Sequence, residues 1–133
     1  MVRAIGADIV DLSRFAAAVN RWGDQFLQRI LTAEEIAYCR RKASGIDSMA
    51  ARFAAKEAFI KCLNEAEYRH FRWHDLRVEN AANGRPEIKL QGGLAQLFPT
   101  QQILLTLSHS RLAAIAVVVI QERSEEAQVP GEN

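Results

Sequence analysis

Between Arg52 and Lys61 the chain reads Arg-Phe-Ala-Ala-Lys-Glu-Ala-Phe-Ile-Lys, a helical run apolar on nearly every side into which one acid and three bases are set. At 3.6 residues per turn, Arg52 and Lys56 fall one turn apart, while Glu57 and Lys61 share another side with Phe53, Ala54 and Ala58. A helix this apolar is ordinarily buried, and an ionised glutamate on it must be paired, bound to a metal ion or turned into a cleft. The Glu57 and Lys61 spacing is equally that of an ordinary i, i+4 ion pair contributing about 0.2–0.5 kcal/mol. This helix alone leaves both readings open.

A second acid stands where an acid is out of place. Val2 to Val10 reads as a strand whose even positions are Val2, Ala4, Gly6, Asp8 and Val10. Asp8 interrupts that apolar face two residues after a glycine, which lets another element approach the backbone closely. A purely structural Asp8 would cap the next helix, but Asp11 directly precedes Leu12 to Val19 and is better placed for that task. Asp8 is therefore read as functional.

Near the C-terminal end, Ile103 to Ser110 alternates like a half-buried strand and turns into Ala113 to Gln121, which predicts a hairpin. His109 shares the face of Ile103, Leu105 and Leu107 at the mouth of the turn. There an imidazole can meet a ligand or serve as a structural hydrogen bonder.

Taken together, these segments resemble a known family. Ile5-Gly6-Ala7-Asp8-Ile9-Val10, Phe26 to Thr32 with Glu34-Glu35, Arg52 to Ala58, Trp73-His74-Asp75-Leu76, Gly84-Arg85-Pro86 and Leu107-Ser108-His109-Ser110 occur in the order of holo-(acyl carrier protein) synthase. The likeness spans about residues 2 to 121, and it is the joint order and spacing of six motifs that makes it specific. The resemblance implies a 4'-phosphopantetheinyl transferase of the small bacterial class. Such an enzyme moves the phosphopantetheine arm of coenzyme A onto a serine of an apo acyl carrier protein and releases adenosine 3',5'-bisphosphate.

That chemistry suits these residue types. A serine hydroxyl attacks the β-phosphorus of a pyrophosphate, and charge builds on oxygens that are already anionic. Mg²⁺ favours oxygen ligands and typically takes one or two carboxylates plus substrate phosphates and waters. Asp8 and Glu57 supply that count for Mg²⁺, or for Mn²⁺ in its place. The resemblance makes Asp8 and Glu57 the metal ligands and Lys61 the catalytic cation. Lys61 would donate to the departing nucleotide or clamp a phosphate. His109 would contact the phosphates of coenzyme A, and Arg52 would help hold its 3'-phosphate. Glu57, directly or through a water, is chosen as the base for the serine proton. Gly84, Arg85 and Pro86 resemble the segment bordering the adenine, although Asn-Gly followed by Pro is also plain hairpin chemistry. Arg14 and Arg21, seven residues apart, are expected on one helical face toward the carrier protein. The family likeness further implies a homotrimer with active sites at subunit boundaries.

Composition agrees. With 133 residues at 49% hydrophobic and 25% charged, the chain fits one cytosolic domain. Net charge is only +1, yet between Tyr38 and Arg72 eight Lys or Arg face four acids. That local excess suits a phosphate-rich ligand or an acidic partner, although a solvated helical face is the commoner meaning of such a run. Cys39 and Cys62 lack metal or disulfide spacing and are read as reduced thiols. No secretory or membrane-spanning pattern is found, so a cytoplasmic location is expected, with no nucleic-acid partner.

The expected fold is α+β, an antiparallel sheet packed against a long central helix. Thr32 and Glu35 form a capping box for a helix to about Lys42, and Asp47 or Ser48 caps a helix from Met49 to Leu63. Leu76 to Asn80 and Pro86 to Leu90 flank an Asn83-Gly84 turn, and a short helix follows Gly92-Gly93. Residues 1–121 form a single domain in this reading, and 122–133 a polar, disordered tail.

In one respect the chain departs from the family pattern. Cys62 to Trp73 contains no glycine, where the family usually has a glycine-containing loop. The segment is expected to be stiffer or partly helical, and the acceptor could then be a polyketide rather than a fatty-acid carrier protein. His70 and His74 are read as surface residues. Two rival functions are a non-catalytic module that binds coenzyme A or a carrier, and a Mg²⁺-dependent pyrophosphate hydrolase that uses water in place of serine.

Overall fold

Alternation at period two builds the first element, β1 (Val2–Asp11), with Gly6 and Val10 buried while Ile5 and Ile9 face outward. The computed structural model describes residues 1–123. After β1 come α1 (Leu12–Ile30), α2 (Ala33–Arg40), α3 (Gly45–Ile60), α4 (Glu65–Tyr68) and a 3-10 turn at Trp73–Asp75. There follow β2 (Leu76–Asn80), β3 (Pro86–Leu90), α5 (Gly92–Leu97), β4 (Gln102–His109) and β5 (Ala113–Gln121).

The strands are all antiparallel, as expected, but they divide between two sheets. β1, β5 and β4 form one sheet in that order, and β2 pairs with β3 in the other. The register sets Asp8 opposite Ala116 and His109 opposite Ala114, on the two flanks of β5. The inner face of the three-stranded sheet packs on α3, and α2 and α1 lie against α3 as well. Ala54, Ala55, Ala58 and Phe59 of α3 are fully enclosed with Val118 and Leu76. Burying a side chain such as Phe59 contributes about 1.5–3 kcal/mol.

The alanines bring α3 very near the sheet. A Cβ on Gly6 would lie 2.2 Å from the Ala58 carbonyl oxygen, so only glycine fits at this crossing. The crossing lies two residues before Asp8 and one turn before Lys61.

Asp11 caps α1 as predicted, accepting from the Arg14 amide at 3.0 Å and from Ser13 Oγ at 2.8 Å. Within α1 the helix breaks at Gly23, whose φ of 63° is left-handed. The Thr32 and Glu35 capping box is present, but α2 ends at Arg40 rather than Lys42. Its last amides tighten onto three-residue turns, Arg41 to Tyr38 and Lys42 to Cys39.

The predicted cap of α3 is corrected. The helix starts at Gly45, with Ser44 in the cap position and no side-chain bond there. Ser48 lies inside the helix, its amide donating to the Ser44 carbonyl at 3.1 Å, and its hydroxyl accepts from Arg52 at 3.0 Å and lies 3.4 Å from Cys39 Sγ. At the other end α3 stops at Ile60, and Cys62 and Leu63 close turns onto Phe59 and Ile60.

The glycine-free segment does contain a helix, α4, opened by a reciprocal Asn64 and Glu67 capping box. Of the expected tail, Glu122 is tied down, with its amide donating to Met1 at 2.9 Å and its carboxylate accepting from Gln101. The remainder from Ser124 onward lies outside the described residues. Among the described residues, no helix is long and apolar enough to cross a membrane.

Candidate active site

Asp8, Glu57 and Lys61 meet where β1 crosses the C-terminal half of α3. Lys61 Nζ donates to Asp8 Oδ1 at 2.9 Å, with the lysine half exposed and the aspartate mostly covered. Burial pushes the Glu57 carboxyl above the ordinary glutamate range, the negative charge of Asp8 raises it further, and Lys61 partly opposes both. Asp8 and Glu57 thus feel one another's charge, and both feel the Lys61 ammonium that Asp8 pairs. Among the described residues, the Glu57 carboxylate has neither a hydrogen bond nor an ion pair shorter than 4 Å. No cluster of three His, Cys, Asp or Glu residues able to hold a metal occurs among them. A donor set of two carboxylates nonetheless fits Mg²⁺, whose remaining ligands are customarily phosphate oxygens and waters.

Arg52 organises a second cluster, on the side of α3 facing α2 and β2. It is 5% exposed, yet among the described residues no carboxylate pairs with it. Its guanidinium donates to Ser48 Oγ at 3.0 Å and Asn80 Oδ1 at 2.8 Å, and among the described residues its Nε has no partner. The Tyr38 ring lies 4.6 Å from the Arg52 guanidinium carbon, and Lys42 Nζ is 4.8 Å from the same ring. A buried cation with no counter-charge, next to further cations, is poised for an anion. Asn80 also donates to the Gly84 carbonyl at 3.0 Å, so it links Arg52 to the predicted adenine-bordering turn.

Beyond that turn, a groove of about 860 Å³ runs between β3 and β4, lined by Arg85, Pro86, Lys89, Ile103 and Leu105 among others. The structure therefore links Arg52 through Asn80 to Gly84, while Arg85 and Pro86 line the groove. His109 stays apart from both clusters. It is exposed on β4, two strands across from Asp8, a separation of about 10 Å from strand spacing alone. Arg14 and Arg21 are exposed on the part of α1 before the Gly23 break, with the Arg21 guanidinium carbon 4.9 Å from the Trp22 ring centre. One chain does not gather the whole predicted set about a single point.

Asn80, Tyr38, Glu35 and Lys56 are the residues that sequence reasoning missed as contributors. Lys56, which the sequence places on the Arg52 ridge, has no exposed surface. Its ammonium donates to Glu35 Oε1 at 2.7 Å, to the Ile30 carbonyl at 2.8 Å and to the Trp73 carbonyl at 3.2 Å. Glu35 accepts in addition from the Thr32 and Val78 amides, both at 2.8 Å. Burial pulls the Lys56 ammonium below the usual lysine value, with Glu35 opposing and Arg52 adding to the fall. The capping box marked Glu35 as a helix start, and nothing local showed that Lys56 would bond to it.

Both cysteines are free. Burial pushes the Cys62 thiol up to about 11, which keeps it protonated and unreactive. His70 and His74 are exposed, in keeping with the surface roles expected of them.

The profile of the 4'-phosphopantetheinyl transferase superfamily matches residues 4–118. A holo-(acyl-carrier-protein) synthase of Halothermothrix orenii is 38% identical over 125 residues, covering 92% of this chain and 99% of the relative. The crystal structure of holo-(acyl-carrier-protein) synthase from Neisseria meningitidis superposes with a TM-score of 0.82 at 28% identity, covering 92% of this chain and all of that one. The Helicobacter pylori synthase in complex with coenzyme A superposes with a TM-score of 0.74 at 32% identity, covering 88% and 99%. With this fold and these matches, the chain belongs to the holo-(acyl-carrier-protein) synthases of the 4'-phosphopantetheinyl transferase superfamily and is an enzyme of that family.

Proposed function

We propose that the protein transfers the 4'-phosphopantetheinyl group of coenzyme A to a serine of an apo acyl carrier protein, releasing adenosine 3',5'-bisphosphate in a Mg²⁺-dependent reaction. The observation that carries this reading is the 2.9 Å contact of Lys61 with Asp8, one helical turn from Glu57. Each residue then has a task. Glu57 accepts the serine proton, directly or through a water. The serine oxygen forms a bond to the β-phosphorus as the bond to the nucleotide's phosphate oxygen breaks. Lys61 donates a hydrogen bond to that departing oxygen. Asp8 and Glu57 hold Mg²⁺, or Mn²⁺, which when bound neutralises charge on the pyrophosphate.

Arg52, with Tyr38 and Lys42 beside it, takes the 3'-phosphate, and the Gly84, Arg85 and Pro86 turn borders the adenine at the mouth of the β3 and β4 groove. His109 meets the phosphates from a neighbouring subunit. Its distance from Asp8 within one chain supports that arrangement, as do the outward-facing Ile5, Ile9, Leu104 and Ile115. These lie on the outer face of the three-stranded sheet, which a homotrimer would cover. Arg14 and Arg21 face the carrier protein.

The test is mass spectrometry of the pure protein incubated with coenzyme A and Mg²⁺, with and without a panel of apo carriers. A carrier gaining the phosphopantetheinyl mass is the expected result. Bisphosphate release without any carrier would show a hydrolase, and neither product would show a binding module.

A further inference from the structure

Two cations are buried on α3, and their surroundings differ. Lys56 has a counter-charge, Glu35, at 2.7 Å. Arg52, one turn earlier, is held only by neutral oxygens, Ser48 Oγ at 3.0 Å and Asn80 Oδ1 at 2.8 Å, and among the described residues its Nε has no partner. Its other neighbours add positive charge. The Tyr38 ring centre lies 4.6 Å from the Arg52 guanidinium carbon, 4.8 Å from Lys42 Nζ and 5.8 Å from the Arg41 guanidinium carbon. Lys42 and Asn80 are exposed, so the cluster reaches the surface. A guanidinium has donors to spare beyond its two bonds here, and a cation kept in such company retains its charge for an incoming anion.

Asn80 is the last residue of β2 and stands opposite Pro86 across the hairpin. Its Nδ2 donates to the Gly84 carbonyl at 3.0 Å while its Oδ1 accepts from Arg52. These partners fix which way the amide points, because a reversed amide would set its NH2 against the guanidinium and its oxygen against the carbonyl. The turn does not need Asn80 to close. The Gly84 amide donates to the Ala81 carbonyl at 2.8 Å, the Ala81 amide to the Arg85 carbonyl at 2.8 Å, and the Arg85 amide to Asn83 Oδ1 at 3.0 Å. What Asn80 adds is the placement of that turn relative to Arg52. An aspartate of the same size would also accept from Arg52, but it would neutralise the cation and turn a second oxygen on the Gly84 carbonyl.

We propose that Asn80 makes the enzyme selective for a coenzyme that carries the 3'-phosphate, holding Arg52 through a neutral acceptor so that the positive charge is left for that phosphate. The inference rests on the function proposed above. Asn80 is a positioning residue, acting through Arg52 and the Gly84 turn rather than on the reacting atoms.

The test is calorimetric binding of coenzyme A and of dephospho-coenzyme A to the full-length wild type, Asn80→Asp and Asn80→Ala, with no carrier present. Wild type is expected to prefer coenzyme A. In Asn80→Asp the affinity for coenzyme A should fall about tenfold or more while that for dephospho-coenzyme A stays within about twofold of wild type. Asn80→Ala leaves Arg52 charged but unsteered, and its loss should lie between the two. Without coenzyme, Asn80→Asp should melt no lower than wild type, since the buried cation gains a counter-charge. Equal loss with both coenzymes overturns the proposal and makes Asn80 a brace of the turn. An aspartate variant that keeps the preference overturns it too, as does an alanine variant that loses as much as the aspartate one, because charge then plays no part. A wild type that binds both coenzymes alike removes the 3'-phosphate from Arg52 and the inference with it. Binding is read without a carrier, so a wild type that prefers coenzyme A yet modifies no carrier sinks the transfer reading alone, and the aspartate result still decides the role of Asn80.

Discussion

Glu57 shows how one side chain can be legible in type and not in state. Its place on an apolar helix marked it as unusual, but the charge of Asp8, which acts on it beside its burial, comes from a strand some fifty residues away. Because its pKa is raised in the folded protein, the folded state binds this proton more tightly than the unfolded chain does. The associated stability is complete below the ordinary glutamate pKa and is lost as pH rises through the elevated one. Glu57→Gln is therefore expected to raise the melting temperature relative to wild type at pH 7 without divalent ions, with the difference vanishing near pH 4. The same variant should lower transfer by about a thousandfold or more, since it removes both base and metal ligand. Thermal melts at the two pH values and a carrier-mass assay check the two halves. Equal melting temperatures at pH 7, or wild-type turnover, would remove Glu57 from its assigned role.

At the scale of elements, α3 is positioned by means its own sequence only half reveals. The alanines that bring it against β1 and β5 were plain to see, and with them the expectation of a buried central helix. Alanine faces pack closely but offer little resistance to rotation or sliding, so the long buried side chains fix the helix in place. Lys56 is one such anchor, joining α3 to the end of α1, the start of α2, Trp73 and, through Glu35, β2. Removing one partner of a buried pair leaves the other charge stranded, at a cost of about 3–5 kcal/mol. Lys56→Met should accordingly destabilise the fold by that amount in urea unfolding, and Lys56→Met/Glu35→Gln should recover a good part of it. A single variant as stable as wild type would mean that the pair contributes nothing. The α3 start was misjudged because Ser48 looks like a cap in sequence, whereas the helix already begins at Gly45 and the Ser48 hydroxyl serves Arg52 instead.

For the whole molecule, the three-stranded sheet is unbalanced. Its inner face is sealed by α3, while Ile9 and Ile115, opposite one another across β1 and β5, are 66% and 43% exposed. If that face joins the proposed trimer, Ile115→Lys should yield a monomer in sedimentation velocity and lose activity with it, because His109 then has no neighbouring site to complete. A monomeric wild type, or a variant that stays associated, would contradict the assembly. The sequence by itself determined the α+β class, most of the elements and the family, and it proposed Asp8 and Glu57 as a carboxylate pair, because these readings depend on residue type, spacing and period along one chain. It could not determine that Lys56 bonds Glu35, that Asn80 ties Arg52 to the Gly84 turn, or that His109 stands off from Asp8. Those relations join residues remote along the chain, and only the packing of α3 between sheet and helices decides which of them meet.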